Sequence, residues 1–434
     1  MVKDSAITSQ FQITNEGLAL FGIENKVVAT SPEALIYWDE VSLFQKMLYA
    51  LPTDSMVGIF KSKGTQHWNS ADYKDLPAPV APFRPNWDSD QPLKGLRVAL
   101  DPGHIGGTME FAEMEKKFIK ILPGPENGID TEISFNEGNL ALGTSLLLAK
   151  RLRAQGAEVL LTREKEGLTA FGNSFENWLE GEKTKYDQIH QDGNLAPPVH
   201  SSKLAQLKYC AAQNYIDDYD IPAKQAKWWR TKAKLSDIYR IPFLKAEFIE
   251  RAKNINTFRP HLTFVIHFNV HESNEPKSNG YRATTEDNFC MAFIPGSFMA
   301  GELKTTEERL AFTAKLLTED ISRSQSLCAH FIQQHESQLE VPAIEWDDNL
   351  KYLRKASLRT PEKGVFARNL QLTRLINGPL CFGESLYQDN IEECLRLNSK
   401  DFILPGMTSP LPERIRTVSD AYYGALIDWL RESN

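Results

Sequence analysis

Leu96-Arg-Val-Ala-Leu100, running straight into Asp101-Pro-Gly-His104, decides how the chain folds. The aliphatic run favours a short strand, and Asp-Pro-Gly stops it in a turn that leaves a histidine at the strand's end. Downstream, Asn139–Ala154 carries leucines at 140, 142, 146, 147, 148 and 152, the spacing of an amphipathic helix, and Gly156 ends it. Glu158-Val-Leu-Leu-Thr162 then reads as a second strand. Leu262-Thr-Phe-Val-Ile266 reads as a third after a helical Phe248–Asn256, and Pro379-Leu-Cys-Phe-Gly383 as a fourth. Strands alternating with helices predict an α/β domain with a largely parallel sheet flanked by helices. In such sheets reactive groups collect beyond the carboxyl ends of strands. His104, His267 and Glu384 all fall there.

The rest of the chain frames this unit. At 434 residues it has length for two or three domains, and 41% hydrophobic with 24% charged residues is ordinary for a globular protein. The formal charge is 49 − 57 = −8, which argues against a broad nucleic-acid-binding surface. No apolar run of about 18 residues encodes a membrane span. The first ten residues, Met1 to Gln10, contain no hydrophobic segment of the secretory type. Five cysteines without a C-x-x-C pair point to buried small hydrophobes, not to a disulfide framework or a thiolate metal site.

Prolines at 77, 79, 82, 85 and 92 place an extended linker over residues 76–95. Before it, residues 1–75 form a small N-terminal accessory region with apolar runs such as Leu18–Ile23 and a helix-like Trp38–Leu51. After it, residues 96–434 make the main domain. A stretch at about 164–244, rich in aromatic residues and helical in its second half, interrupts the alternation. Such an insertion is either a lid, binding platform or docking surface, or a helical subdomain with its own core.

A catalytic zinc site needs three nitrogen or oxygen ligands and an open position for water. His104 and His267 are candidates on their placement. His271 lies four residues beyond His267, but Phe268 stands where a helical H-E-x-x-H pair would need glutamate, and Val265-Ile266 favours a strand. His271 therefore borders the site or the surface. Ser134-Phe-Asn-Glu137 before an apolar run reads as a capping box, in which Glu137 would only secure a helix start. Asp130 and Glu132 compete with it for any metal role, and residue types alone do not choose.

These segments resemble the zinc-dependent N-acetylmuramoyl-L-alanine amidases of the amidase type 3 family. That family's strand leading into D-P-G-H-G-G is matched by LRVALDPGHIGG at Leu96–Gly107. Its ligand glutamate opens a helix that ends in glycine before a strand and Leu-Thr-Arg. Glu137 to Gly156 and on to Leu161-Thr-Arg163 fit that spacing. Its E-R-x-x-x-x-N followed by S-I-H-A-N corresponds to Glu250-Arg251…Asn256 and Val265-Ile-His267-Phe-Asn269. The closing V-E-L-G-F-x-S-N is matched by Glu384 and, six positions on, Asn390. Three features depart from the family. Ile105 replaces a glycine, an extra loop Thr108–Asp130 precedes Glu137, and Gly383-Glu384-Ser385 replaces an apolar-Glu-Leu context.

The resemblance covers about residues 96–434 apart from the insertion. It implies Zn2+ held by His104, Glu137 and His267, with Glu384 as the catalytic acid–base. The implied substrate is peptidoglycan or its muropeptides, cut at the amide between N-acetylmuramic acid and L-alanine, in the periplasm or cell envelope. Regulation is not carried over from the family, and any protein activator stays unidentified. Asp101 either orients His104 or simply forms the turn, and Arg163 and Arg368 either meet the peptide carboxylates of the substrate or, the favoured reading, form surface ion pairs. Two alternatives stand beside this: a cell-wall-binding or regulatory protein of the same fold with a decayed site, and a zinc hydrolase of another amide.

Overall fold

The computed structural model describes residues 10–24, 27–190, 202–298, 302–346 and 351–432. Residues 1–9, within the tract read for a secretory segment, lie outside these, as do residues 191–201 of the insertion.

Strands β1 (Phe11–Ile13), β2 (Gly17–Leu20) and β3 (Ala34–Tyr37) form a small antiparallel sheet, followed by helices α1 (Val41–Ala50) and α2 (Thr53–Lys63). Residues 77–86 have no regular structure, as their prolines, which lack an N–H, dictate. The main domain opens with β4 (Arg97–Pro102), α3 (Met109–Glu115), β5 (Phe118–Ile121) and β6 (Ile133–Asn136). It continues through α4 (Glu137–Ala154) and β7 (Glu158–Leu161). The insertion contributes α5 (Phe175–Ile189), α6 (Lys203–Asp218) and α7 (Ala223–Thr231) before α8 (Leu244–Phe258) returns to the sheet. Then come β8 (Leu262–Asn269), β9 (Met291–Ile294), α9 (Thr306–Leu317), α10 (Asp320–Leu339), β10 (Ser357–Arg359), β11 (Val365–Arg368), β12 (Leu380–Tyr387) and α11 (Arg414–Glu432).

Seven strands make the central sheet, in the order β10-β11-β9-β12-β8-β4-β7. β12, β8, β4 and β7 run parallel, each beside the next. β9 is antiparallel to β12 and β10 to β11, so the largely parallel sheet that the sequence predicts carries antiparallel additions on one side. Alternation along each strand sends side chains to two layers. Val98, Leu100, Phe264 and Ile266 pack with α4, α10 and α11, while Ala99, Val265 and Leu380 pack with α8. With both faces covered, β8 is buried over most of its length, and its run of apolar residues follows from that. Truncating a residue such as Leu100 to alanine here costs about 2–5 kcal/mol. All five cysteines are buried and unpaired.

Two additions share cores with this domain. Leu310 and Ala314 of α9 join Leu18, Ile36, Phe44 and Phe60 of the N-terminal segment. Arg309 grips Glu33 through two hydrogen bonds of 2.7 Å, and Tyr49 donates to Asp320 at 2.7 Å. In the insertion, Phe175, Trp178, Trp229, Tyr239 and Phe243 cluster around Ile105, with Phe111 and Met114 of α3 packed against them. The insertion's core is therefore not its own. It closes over the loop that follows β4.

Candidate metal centre

The strand register builds the site. Ile266 lies opposite Pro102 and His267 opposite Glu384, so the ends of β4, β8 and β12 bring their polar side chains together. The Gly103 N–H donates to the Ile266 carbonyl at 2.8 Å, fixing the turn that carries His104. A Cβ at Gly103 would fall 2.6 Å from His267 Nδ1, so only glycine lets that imidazole pass. His104 itself is left-handed, with φ of 59°.

Glu137 enters from the start of α4. The capping-box expectation is corrected here: Asn136 is the N-cap, accepting the Asn139 N–H at 2.8 Å, which releases the Glu137 carboxylate. Glu137 Oε1 stands 3.1 Å from His104 Nε2 and 3.0 Å from His267 Nδ1, and accepts the Phe268 N–H at 3.2 Å. Its Oε2 accepts from Gln388 Nε2 at 3.2 Å, with Lys117 Nζ at 3.7 Å. The two imidazoles meet edge to face with ring centres 4.6 Å apart, and His267 stacks on Phe382 at 4.4 Å.

The donor set fits a divalent cation. Among the described residues, His104, Glu137 and His267 are the group whose ligand atoms all lie within 4.8 Å of one another. Ligands at about 2.0–2.2 Å around a tetrahedral ion stand about 3.4 Å apart, close to the separations seen. His104 Nε2 is buried 3.1 Å from Glu137 Oε1 and meets no hydrogen-bond geometry. Two further carboxylates near the centre, Glu115 and Glu384, are buried.

Electrostatics follow the same pattern. Burial opposes charge on His104, but Glu137 and Glu115 outweigh it and raise its pKa. Burial works against the Glu137 carboxylate, yet His104 and Lys117 hold it well below the usual carboxylate range. Burial takes His267 down to about 4, keeping it neutral and free to ligate. Glu384 is pushed up to about 7 by burial and by the Glu137 charge, against the pull of Lys117 and Arg368. Its Oε2 is buried without a hydrogen-bond partner. A cleft of about 290 Å³ adjoins the centre, walled by Lys117, Phe118, Glu137, His271 and Asn274.

The remaining candidates stand outside the ligand group. Asp130 is exposed, and Glu132, also exposed, accepts from the Tyr281 hydroxyl at 3.2 Å, so neither competes with Glu137. His271 borders the cleft, 3.2 Å from Asp287. Asp101 does not orient His104; it is buried against Thr162 and Arg251, and Glu115 takes that place, 2.6 Å from His104 Nδ1. Arg163 is not a surface residue. It is 1% exposed, and its Nη2 donates to the carbonyls of Gly103 at 2.9 Å and Gly138 at 2.8 Å, tying the His104 turn to the Glu137 helix. Arg368 lies over the Phe293 ring, 4.6 Å from its centre. Glu115, Lys117 and Gln388 were not foreseen: no motif marks them, and two of them sit in the loop that departs from the family pattern.

No family model matches the sequence, and no curated protein matches it. Solved structures do resemble it. Ami1, an N-acetylmuramyl-L-alanine amidase from Mycobacterium smegmatis, is 14% identical, covers 78% of this chain and 99% of its own, and superposes with a TM-score of 0.38. The CwlD amidase from Clostridioides difficile, solved in complex with the GerS lipoprotein, is 12% identical over 78% of this chain and 99% of its own, with a TM-score of 0.35. The N-acetylmuramoyl-L-alanine amidase AmiC2 of Nostoc punctiforme gives 12%, 78%, 99% and 0.35.

Proposed function

We propose that this chain is a zinc-dependent N-acetylmuramoyl-L-alanine amidase that acts on peptidoglycan in the cell envelope. The observation that supports it most is the convergence of His104, Glu137 and His267 on one point, with the unpartnered Glu384 carboxylate on the neighbouring strand. His104 through Nε2, Glu137 through Oε1 and His267 through a ring nitrogen would hold the ion. Bound there, zinc supplies a Lewis acid for the scissile carbonyl and acidifies water at neutral pH.

The chain's own groups do the rest. Glu384 takes the proton of the attacking water and returns it to the departing L-alanine nitrogen, a poor leaving group until protonated. Its buried position near neutrality suits a group that must both accept and donate. Gln388 and the Phe268 N–H keep the Glu137 carboxylate from rotating, so one oxygen faces the histidines. The adjoining cleft, with Lys117 at its wall, is where the stem peptide would lie.

Digestion of purified sacculi followed by mass spectrometry of the released fragments tests the reading. The expected products are peptides beginning with free L-alanine, abolished by a chelator and restored by zinc. Zinc binding without product points to the wall-binding alternative, and a different released fragment to hydrolysis of another amide.

A further inference from the structure

His104 has two ring nitrogens, and a metal ligand of this kind works only if one nitrogen is kept free for the ion. Its Nδ1 lies 2.6 Å from Glu115 Oε1, in a contact where both side chains are almost fully enclosed. The same carboxylate reaches the Ile105 N–H at 3.4 Å through Oε2, so it braces the left-handed turn as well as the ring. From behind, Arg251 donates to the His104 carbonyl at 3.1 Å and to the Pro102 carbonyl at 3.1 Å.

Glu115 is the last residue of α3, and Lys116 after it turns left-handed with φ of 63°. The Lys117 N–H returns to the Ala112 carbonyl at 2.8 Å, and the Lys117 carbonyl accepts the Glu137 N–H at 3.3 Å. The end of α3 is thus pinned to the strand that delivers Glu137. Phe111 and Met114 on the same helix pack into the insertion's core beside Ile105.

We infer that Glu115 is a positioning residue for the metal centre: it holds His104 as the Nδ1–H tautomer, with Nε2 turned to the ion. This rests on the zinc reading for its purpose, though the hydrogen bond itself does not. A carboxylate behind a ligating histidine fixes the ring and raises its basicity, and losing one weakens metal binding by about 10–100-fold.

Two readouts test it on the full chain, for wild type, Glu115→Gln and Glu115→Ala. Competition with a zinc chelator gives the affinity. Imidazole N–H resonances of histidine-labelled, metal-free protein at alkaline pH report whether His104 Nδ1–H is held. Glu115→Ala should lose the held proton and bind zinc about 10–100-fold more weakly. Glu115→Gln, which keeps an acceptor of the same size, should lose less of both, and it decides the matter should the alanine variant not fold. A Glu115→Ala variant that keeps the His104 resonance, or either variant with zinc affinity within twofold of wild type, overturns the inference. A wild type that binds no zinc overturns the proposed function instead, and the resonance alone then decides for or against Glu115.

Discussion

Glu137 begins a helix but turns its carboxylate away from it, placing Oε1 3.0 Å from Nδ1 of His267, 130 residues further along the chain. The Asn136 cap makes this possible, because the helix start is satisfied without the glutamate. The remaining geometry of the centre depends on that freedom.

Glu384→Gln keeps the shape of the side chain and removes its capacity to carry a proton. Zinc content, measured by elemental analysis, should stay at one per chain. Release of L-alanine-terminated peptides should fall by about 10²–10⁴-fold, the usual contribution of a positioned acid–base. Unchanged hydrolysis would remove Glu384 from the mechanism.

Gly103→Ala adds one carbon where the His267 ring already sits, 2.6 Å from Nδ1. The imidazole must move, so zinc affinity should fall by at least about tenfold while the circular dichroism spectrum is preserved. Chelator competition checks this. Wild-type affinity would mean that the turn and the ring are not in contact.

Phe175→Ala removes the ring that touches Tyr239 at 4.8 Å and Phe243 at 4.8 Å in the insertion's core. The expected loss is about 3–5 kcal/mol in denaturant unfolding. A loss below about 1 kcal/mol would show that this core does not hold the insertion together.

His335 is buried on α10, with Nδ1 donating to the Phe331 carbonyl at 2.9 Å, and burial takes its pKa down to about 3. Unfolded, the same group titrates near 6.5. The folded state therefore binds fewer protons between these values. Stability from this residue is complete above pH 6.5 and declines as pH falls toward 3, by about 1.4 kcal/mol per pH unit. His335→Leu should flatten the acid limb of the stability curve. An unchanged limb would mean that the imidazole is already charged in the folded protein.

Much of this was legible from local pattern. The strands after 96, 158, 262 and 379 and the helix before Gly156 follow from residues that see both faces of a sheet or one face of a helix. His104, His267 and Glu384 could be placed because each ends or follows such a strand. For Glu137 the spacing alone reads as a capping box, and its carboxylate is seen to face His104 and His267 only once the cap proves to be Asn136. Glu115 and Gln388 were invisible because their roles depend on chain crossings that no spacing encodes. Arg163 was misjudged because a buried guanidinium is rare unless backbone carbonyls receive it, and those carbonyls, of Gly103 and Gly138, come together only in the fold.

Crystals grown with zinc, measured on both sides of the zinc absorption edge, test the central claim most directly. One anomalous peak should lie within about 2.0–2.2 Å of His104 Nε2, of Glu137 Oε1 and of a His267 ring nitrogen, beside the Glu384 carboxylate. A difference map without that peak, or with zinc held by other side chains, would contradict it.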